Sequence, residues 1–195
     1  MAAFAEIAIY LIDTLFSLLL VVVVLRGILH ASRADFFNPI CQFIVKVTNP
    51  LLSNLRKILP NKGRIDFCAI VLALLVQLVA IALILQIAGL TLPNPLLLLI
   101  WSAVGVVGLI VKIYFFALIA MIVVSWVAPG SRHPAIGLLY QITEPVMAPV
   151  RALLPNLGGL DFSPILLFVT INIIEIGLRH IAVAVGLPAR LVLGI

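Results

Sequence analysis

A chain of 195 residues with a net charge of +5, 65% apolar and only 10% charged residues falls far short of an ordinary soluble domain, in which about a quarter of residues are charged. A mean hydropathy of +1.35 leaves one helical domain integral to a membrane. The excess charge is no nucleic-acid signal. Arg33, Lys46, Arg56, Lys57, Lys62 and Arg64 all stand between two apolar blocks, as residues on the cytoplasmic side of a membrane protein do, often against anionic headgroups.

In chain order, the N-terminus lacks a basic n-region, so the first apolar stretch is expected to remain as a helix rather than be cleaved. Spans are predicted near 7–29, 67–89, 98–127 and 163–186, each long enough to cross about 30 Å of hydrocarbon at about 1.5 Å per residue. The third is long enough to tilt or to begin as an interfacial segment. The segment 30–66 carries Ile40, Phe43, Ile44, Val47, Leu51, Leu55 and Ile58 at three- and four-residue spacing. The segment 128–162 repeats the pattern with Leu139, Ile142, Val146, Val150, Leu153 and Leu154. Both read as amphipathic segments lying in the cytoplasmic interface. Pro50 and Pro145 interrupt them, since proline removes a helical hydrogen bond. Asn38-Pro39 and Asn49-Pro50 each read as an N-cap and first helical residue. Two short helices with a bend are therefore expected in each segment, with a shallow re-entrant hairpin as the alternative. Gly89-Leu-Thr-Leu-Pro93-Asn-Pro95 separates the halves. Cys41 and Cys68 have no metal-type spacing and are expected as reduced thiols.

The polar segments are copies of one another. Residues 46–67 and 141–162 align without a gap, 95 residues apart, with nine of 22 positions identical, where chance gives about one or two. The shared residues include Thr48/Thr143, Pro50/Pro145, Arg56/Arg151, Pro60/Pro155, Gly63/Gly158 and Asp66/Asp161. The repeats are assigned to 1–95 and 96–195. Two spans per repeat bring both copies into the membrane from the same side, so the repeats are parallel. The basic segments are expected in the cytoplasm and both termini outside. The fold class is all-α and membrane-integral: four spans from two parallel repeats, each with a kinked amphipathic interfacial segment.

The second copy has Ser125-Trp126, Pro134, Thr143-Glu144-Pro145, Pro149-x-Arg151, Leu154-Pro155 and then Gly158-Gly159-Leu160-Asp161-Phe162-Ser163-Pro164. This string resembles the YggT family of small bacterial membrane proteins, which has plastid relatives. The first copy departs from it with His30-Ala31 for Ser-Trp, Asn49 for the glutamate and Cys68-Ala69 for Ser-Pro. The resemblance covers nearly the whole chain and implies a duplicated two-span unit in the bacterial plasma (inner) membrane. It also implies links to osmotic tolerance, cation homeostasis or cell division in bacteria, and to nucleoid distribution and cytochrome maturation in plastids.

Arg56 and Asp66, like Arg151 and Asp161, are ten residues apart across a Leu-Pro-Asn-x-Gly turn. Each turn can fold an arginine back onto the aspartate that opens the next span, and that aspartate can also cap the span. A structural role is favoured over ligand binding. Ionisable residues inside spans are costly in lipid: Lys112 and Glu175 lie about 20–22 Å deep from the cytoplasmic ends, and Asp13 and Arg179 about 25 Å. These four can form a polar cluster of zero net charge. Glu175 and Asp13 would bind a cation or proton and Lys112 or Arg179 would gate it; an ion-pair network that fixes helix packing is the favoured role. Gln77 and Asn172 follow the repeated aspartates by 11 residues and are expected to hydrogen-bond near the pseudo-symmetry axis.

His30, His133 and His180 lack the spacing of a metal or haem pair, and no nucleophile, zinc or phosphate-loop motif occurs. Gly105 and Gly108 favour close helix packing, and Trp126 an interfacial anchor. The leading expectation is a non-enzymatic membrane organiser or assembly factor without a cofactor, engaging anionic lipid headgroups and a membrane-protein partner or further copies of itself. A small cation channel or transporter is the alternative, resting on Asp13, Lys112, Glu175 and Arg179. A cofactor-handling maturation role rests on family likeness alone.

Overall fold

A computed structural model describes residues 2–59, 63, 65–131, 133–154 and 161–188. Among these are six helices: α1 (Ala2–Ala31), α2 (Pro39–Leu55), α3 (Phe67–Ile87), α4 (Pro95–Val127), α5 (Pro134–Leu153) and α6 (Ser163–Ala184). α1, α3, α4 and α6 are long and apolar enough to cross a membrane. α1, α3 and α4 are apolar nearly all round, the signature of helices solvated by lipid and by one another, whereas α6 also carries Asn172, Glu175, Arg179 and His180. α4 runs for 33 residues, about 50 Å at helical rise, well beyond a hydrocarbon core.

The spans stand in a row: α1 packs on α3, α3 on α4 and α4 on α6, with a lesser α1–α4 contact that curves it. α2 packs on α1 and α3 as α5 packs on α4 and α6, so each repeat is the same three-helix unit. We call the side carrying α2 and α5 proximal and the other distal. Small side chains let the backbones approach: a Cβ on Gly27 would sit 3.7 Å from that of Ala69. Such approach matters in lipid, where hydrophobicity does not draw spans together. The distal turn is defined by Gly89 in the left-handed region (φ +70°), a conformation glycine adopts without penalty. The Leu90 amide closes it on Leu85 O at 2.9 Å. Asn94 then caps α4, accepting from the Leu96 amide at 2.9 Å, with Pro95 at the first helical position.

The interfacial segments differ from expectation. Each is one continuous helix, with Pro50 inside α2 and Pro145 and Pro149 inside α5. Asn38 caps α2 as expected, accepting from the Ile40 amide at 2.9 Å, but Asn49 is interior and caps nothing. Pro50 and Pro145 are exposed, as are Lys46 and Gln141 four residues earlier. The carbonyls these prolines free therefore face outward, where water or headgroups can satisfy them, and the helix continues. The buried faces are Cys41, Ile44, Thr48 and Leu52 on α2 and Leu138, Ile142, Thr143 and Met147 on α5.

Candidate functional site

The duplicated residues converge where each interfacial helix meets its returning span. Thr48 and Thr143 are both buried. Their hydroxyls donate to the preceding turn, to Ile44 O at 2.7 Å and Leu139 O at 2.9 Å, so a polar side chain enters the packed face without an unmet donor. Gly63 stands in the turn after α2 with φ +109°, again a glycine conformation. Pro60, Pro155 and Gly158 lie outside the described residues.

Both arginine–aspartate pairs form, in different surroundings. Arg56 Nη2 donates to Asp66 Oδ2 at 3.1 Å, and the Asp66 side chain is 0% exposed. Asp66 also caps α3, its Oδ1 accepting from the Ala69 amide at 3.2 Å. In the second copy Arg151 Nε donates to Asp161 Oδ2 at 3.2 Å and Nη1 to Glu144 Oε1 at 3.1 Å, with Asp161 42% exposed. Asp161 is not the cap of α6. That position is Phe162 and has no side-chain bond, because Asp161 lies one residue further out and accepts from the Ser163 amide at 2.9 Å. The Ser163 side chain, against some burial, and then its backbone N–H and Arg151 hold the Asp161 carboxyl below the usual carboxylate range.

The proximal surface is tied across the two copies. Gln141 Oε1 accepts from the Asp35 amide at 3.0 Å, and Asn38 Nδ2 donates to Pro134 O at 2.8 Å. His133 caps α5 as Asn38 caps α2, its Nδ1 accepting from the Ala135 amide at 3.2 Å. On α2 and in the chain flanking it are the exposed apolar residues Phe37, Phe43, Val47 and Leu51 and the exposed cations Arg33, Lys46 and Lys57. A surface basin of about 540 Å³, lined by His30, Arg33, Ala34, Phe36 and Gly63, opens beside them. Trp126 is 82% exposed where α4 reaches this side, as an interfacial anchor requires.

Arg26 belongs to this region and sequence reasoning passed over it. It is 6% exposed in α1, its guanidinium carbon 5.4 Å from the Phe36 ring centroid, within cation–π range. Its Nε and Nη1 have no hydrogen-bond partner among the described residues. The signal was present, an arginine inside a predicted span, three residues from its end. In the second copy its place is taken by Met121, whose sulfur lies 3.5 Å from the Thr143 hydroxyl. Cys41 is buried nearby, and burial, then Asp35, push its thiol up against the opposing pull of Arg26.

The intramembrane residues do not assemble as the sequence suggested. Of Asp13, Lys112, Glu175 and Arg179, only the last two pair, with Arg179 Nη2 3.6 Å from Glu175 Oε2. No ion pair among the described residues holds Asp13 or Lys112. The cause is the row: α1 and α6 stand at its opposite ends, so Asp13 and the α6 pair belong to helices that are not neighbours. Gln77 is fully buried in α3, with neither amide atom hydrogen-bonded among the described residues. Asn172 is not on the axis: it is exposed on α6 and donates to its own helix at Phe168 O, 2.8 Å away. No group of three His, Cys, Asp or Glu side chains among the described residues could hold a metal ion.

The family model described as CCB3/YggT matches residues 5–87 and 100–182, one segment per repeat. A protein of Pseudomonas aeruginosa, carried as uncharacterised, is 49% identical over 94% of this chain and 94% of its own. The YggT protein of Escherichia coli, also carried as uncharacterised, is 32% identical over 91% and 92%. The chloroplast cofactor-assembly protein CCB3 of Arabidopsis thaliana is 34% identical over 34% of this chain and 38% of its own. No solved structure matches.

Proposed function

Because this chain belongs to the CCB3/YggT family, we propose that it is a non-enzymatic organiser of the bacterial inner membrane, presenting α2 and α5 to anionic headgroups at the cytoplasmic face. The observation that carries this reading is the joined proximal surface. Phe43, Val47 and Leu51 recur every four residues on the exposed side of α2, and Lys46, in the same turns, and Lys57, just past its end, are exposed beside them. Apolar side chains of this kind enter the acyl boundary while lysines reach the headgroups. The Asp35–Gln141 and Asn38–Pro134 bonds make the two helices one platform. The chloroplast relative's name assigns cofactor assembly to that protein; an assembly role here would use the same platform to hold a membrane-protein client.

The test places a single tryptophan on the platform by Phe43→Trp with Trp101→Phe and Trp126→Phe, in vesicles containing brominated lipid. Brominated anionic lipid should quench it more strongly than brominated zwitterionic lipid, and Lys46→Gln with Lys57→Gln should remove the preference. Equal quenching by both lipids, with saturable cation flux abolished by Glu175→Gln in the same vesicles, would replace this reading with the transporter.

A further inference from the structure

The 95-residue offset lets burial be compared position by position. Burial shared by both copies arises inside a repeat: Leu72 and Leu167 are buried alike, as are Val76 and Ile171. Among the positions buried in one copy alone, one distal set lies on α3 and α4, where the repeats meet, with Ile9 and Ile12 of α1 and Val185 also packed on it. On α3 these positions are Gln77, Ile81, Ile84 and Leu85, all buried. Their equivalents on α6 are Asn172, Ile176, Arg179 and His180, all exposed. On α4 they are Trp101, Ser102, Gly105 and Val106, all buried. Their equivalents on α1 are Glu6, Ile7, Tyr10 and Leu11, all exposed. Each end of the row thus presents one open half of the seam that closes at its middle, and both open halves lie distally.

The α6 half is poorly suited to lipid. Glu175 and Arg179 stand about 18 and 24 Å along the helix from Ser163, and Arg179 is 67% exposed; charges at membrane depth normally face protein or water. The α1 half supplies the complement. Within the chain, Trp101 shares a buried cluster with Ile84 and Leu85. The three equivalents are Glu6, Arg179 and His180. Repeating the seam between chains sets the Glu6 carboxylate against Arg179, which already pairs with Glu175 at 3.6 Å, and against His180.

We propose that the chain assembles head to tail with copies of itself, the distal face of α6 on one copy seated against the distal face of α1 on the next. The repeats are parallel, so successive copies keep one orientation in the membrane, and a head-to-tail interface of this kind can close into a ring with no open end. The surface involved is distal and separate from the proximal platform, so either reading can fail without the other.

The test co-expresses two tagged populations, one carrying Glu6→Cys and the other Arg179→Cys, and applies a short thiol cross-linker in native membranes. Cys41 and Cys68 are buried and stay in place. A product joining both tags, absent when either tagged chain lacks its introduced cysteine, is expected. Cross-linking of Arg179→Cys to itself would instead put α6 against α6 and overturn the proposal. Separately, Glu6→Lys and Arg179→Glu should each weaken self-association about tenfold or more, the scale of a charge pair left unmatched in an interface. Both changes in one chain should restore it, with copies counted by photobleaching steps and thermal unfolding checking that each variant folds. Single-step bleaching throughout, with no mixed-tag product, overturns it as well.

Discussion

The two copies of the repeat place the same arginine and aspartate in the same relation and give them different worth. In the first copy Asp66 is sealed beneath Arg56 and caps a helix that begins inside the bundle. In the second, Arg151 is shared between two exposed carboxylates, and Asp161 serves the turn before α6. The difference follows from position in the row. α3 has neighbours on both sides, whereas α6 is at the end. Duplication copied the residues, and burial decided what each copy contributes.

The largest test of this contrast is removal of one partner. Arg56→Ala leaves a buried carboxylate unpaired and should cost about 3 kcal/mol or more, whereas Arg151→Ala breaks exposed pairs and should cost about 0–1 kcal/mol. Unfolding in mixed detergent micelles measures both, and equal losses would erase the distinction. Next is Arg26→Met, which gives the first copy the residue the second has at Met121. Replacing a buried, incompletely paired cation with an apolar side chain of similar length should stabilise by about 1–2 kcal/mol. A loss instead would show that Phe36 holds the guanidinium firmly. Thr48→Val and Thr143→Val sharpen the contrast by being alike: both hydroxyls are buried and bonded one turn back, so each change should cost about 1 kcal/mol. Unequal costs would mean that the threonines also differ between copies.

The smallest effect is acid sensitivity of the second copy. The Asp161 carboxyl titrates below its unfolded value, so its contribution is complete above about pH 4 and fades as pH falls through the lower folded value. Because Asp161 is exposed, that contribution is under about 1 kcal/mol. Asp161→Asn should flatten the acid limb of a stability–pH curve by this amount, and an unchanged limb would assign the acid sensitivity to other carboxylates.

Much of the architecture was legible because lipid imposes strict rules on sequence. Four long apolar runs could only be spans, and a repeated Thr-x-Pro…Arg…Asp between them could only be a duplicated turn. The two Arg–Asp pairs followed from their ten-residue spacing. The continuity of α2 and α5 did not, because a proline's cost depends on whether the carbonyl it frees meets solvent. Pro50 and Pro145 do face outward, and no count of residues shows that. The Gln77/Asn172 equivalence was visible, and their different burial was not, since a repeat cannot reveal which of two equivalent spans lies mid-row. The proposed cluster of Asp13, Lys112, Glu175 and Arg179 failed for the same reason: depth along a helix can be read from sequence, and neighbourhood across a bundle cannot.

The turn at Gly89 has a consequence for dosage. It joins α3 to α4 through a few residues, so the seam between repeats closes at the millimolar effective concentration of a short tether. It is complete at any level of expression. The seam proposed between chains has no tether and depends on how many copies share the membrane. Low expression would favour single chains with their charged edge exposed, and overexpression would favour closed assemblies, so the charge carried at the edge of the row becomes a gauge of abundance.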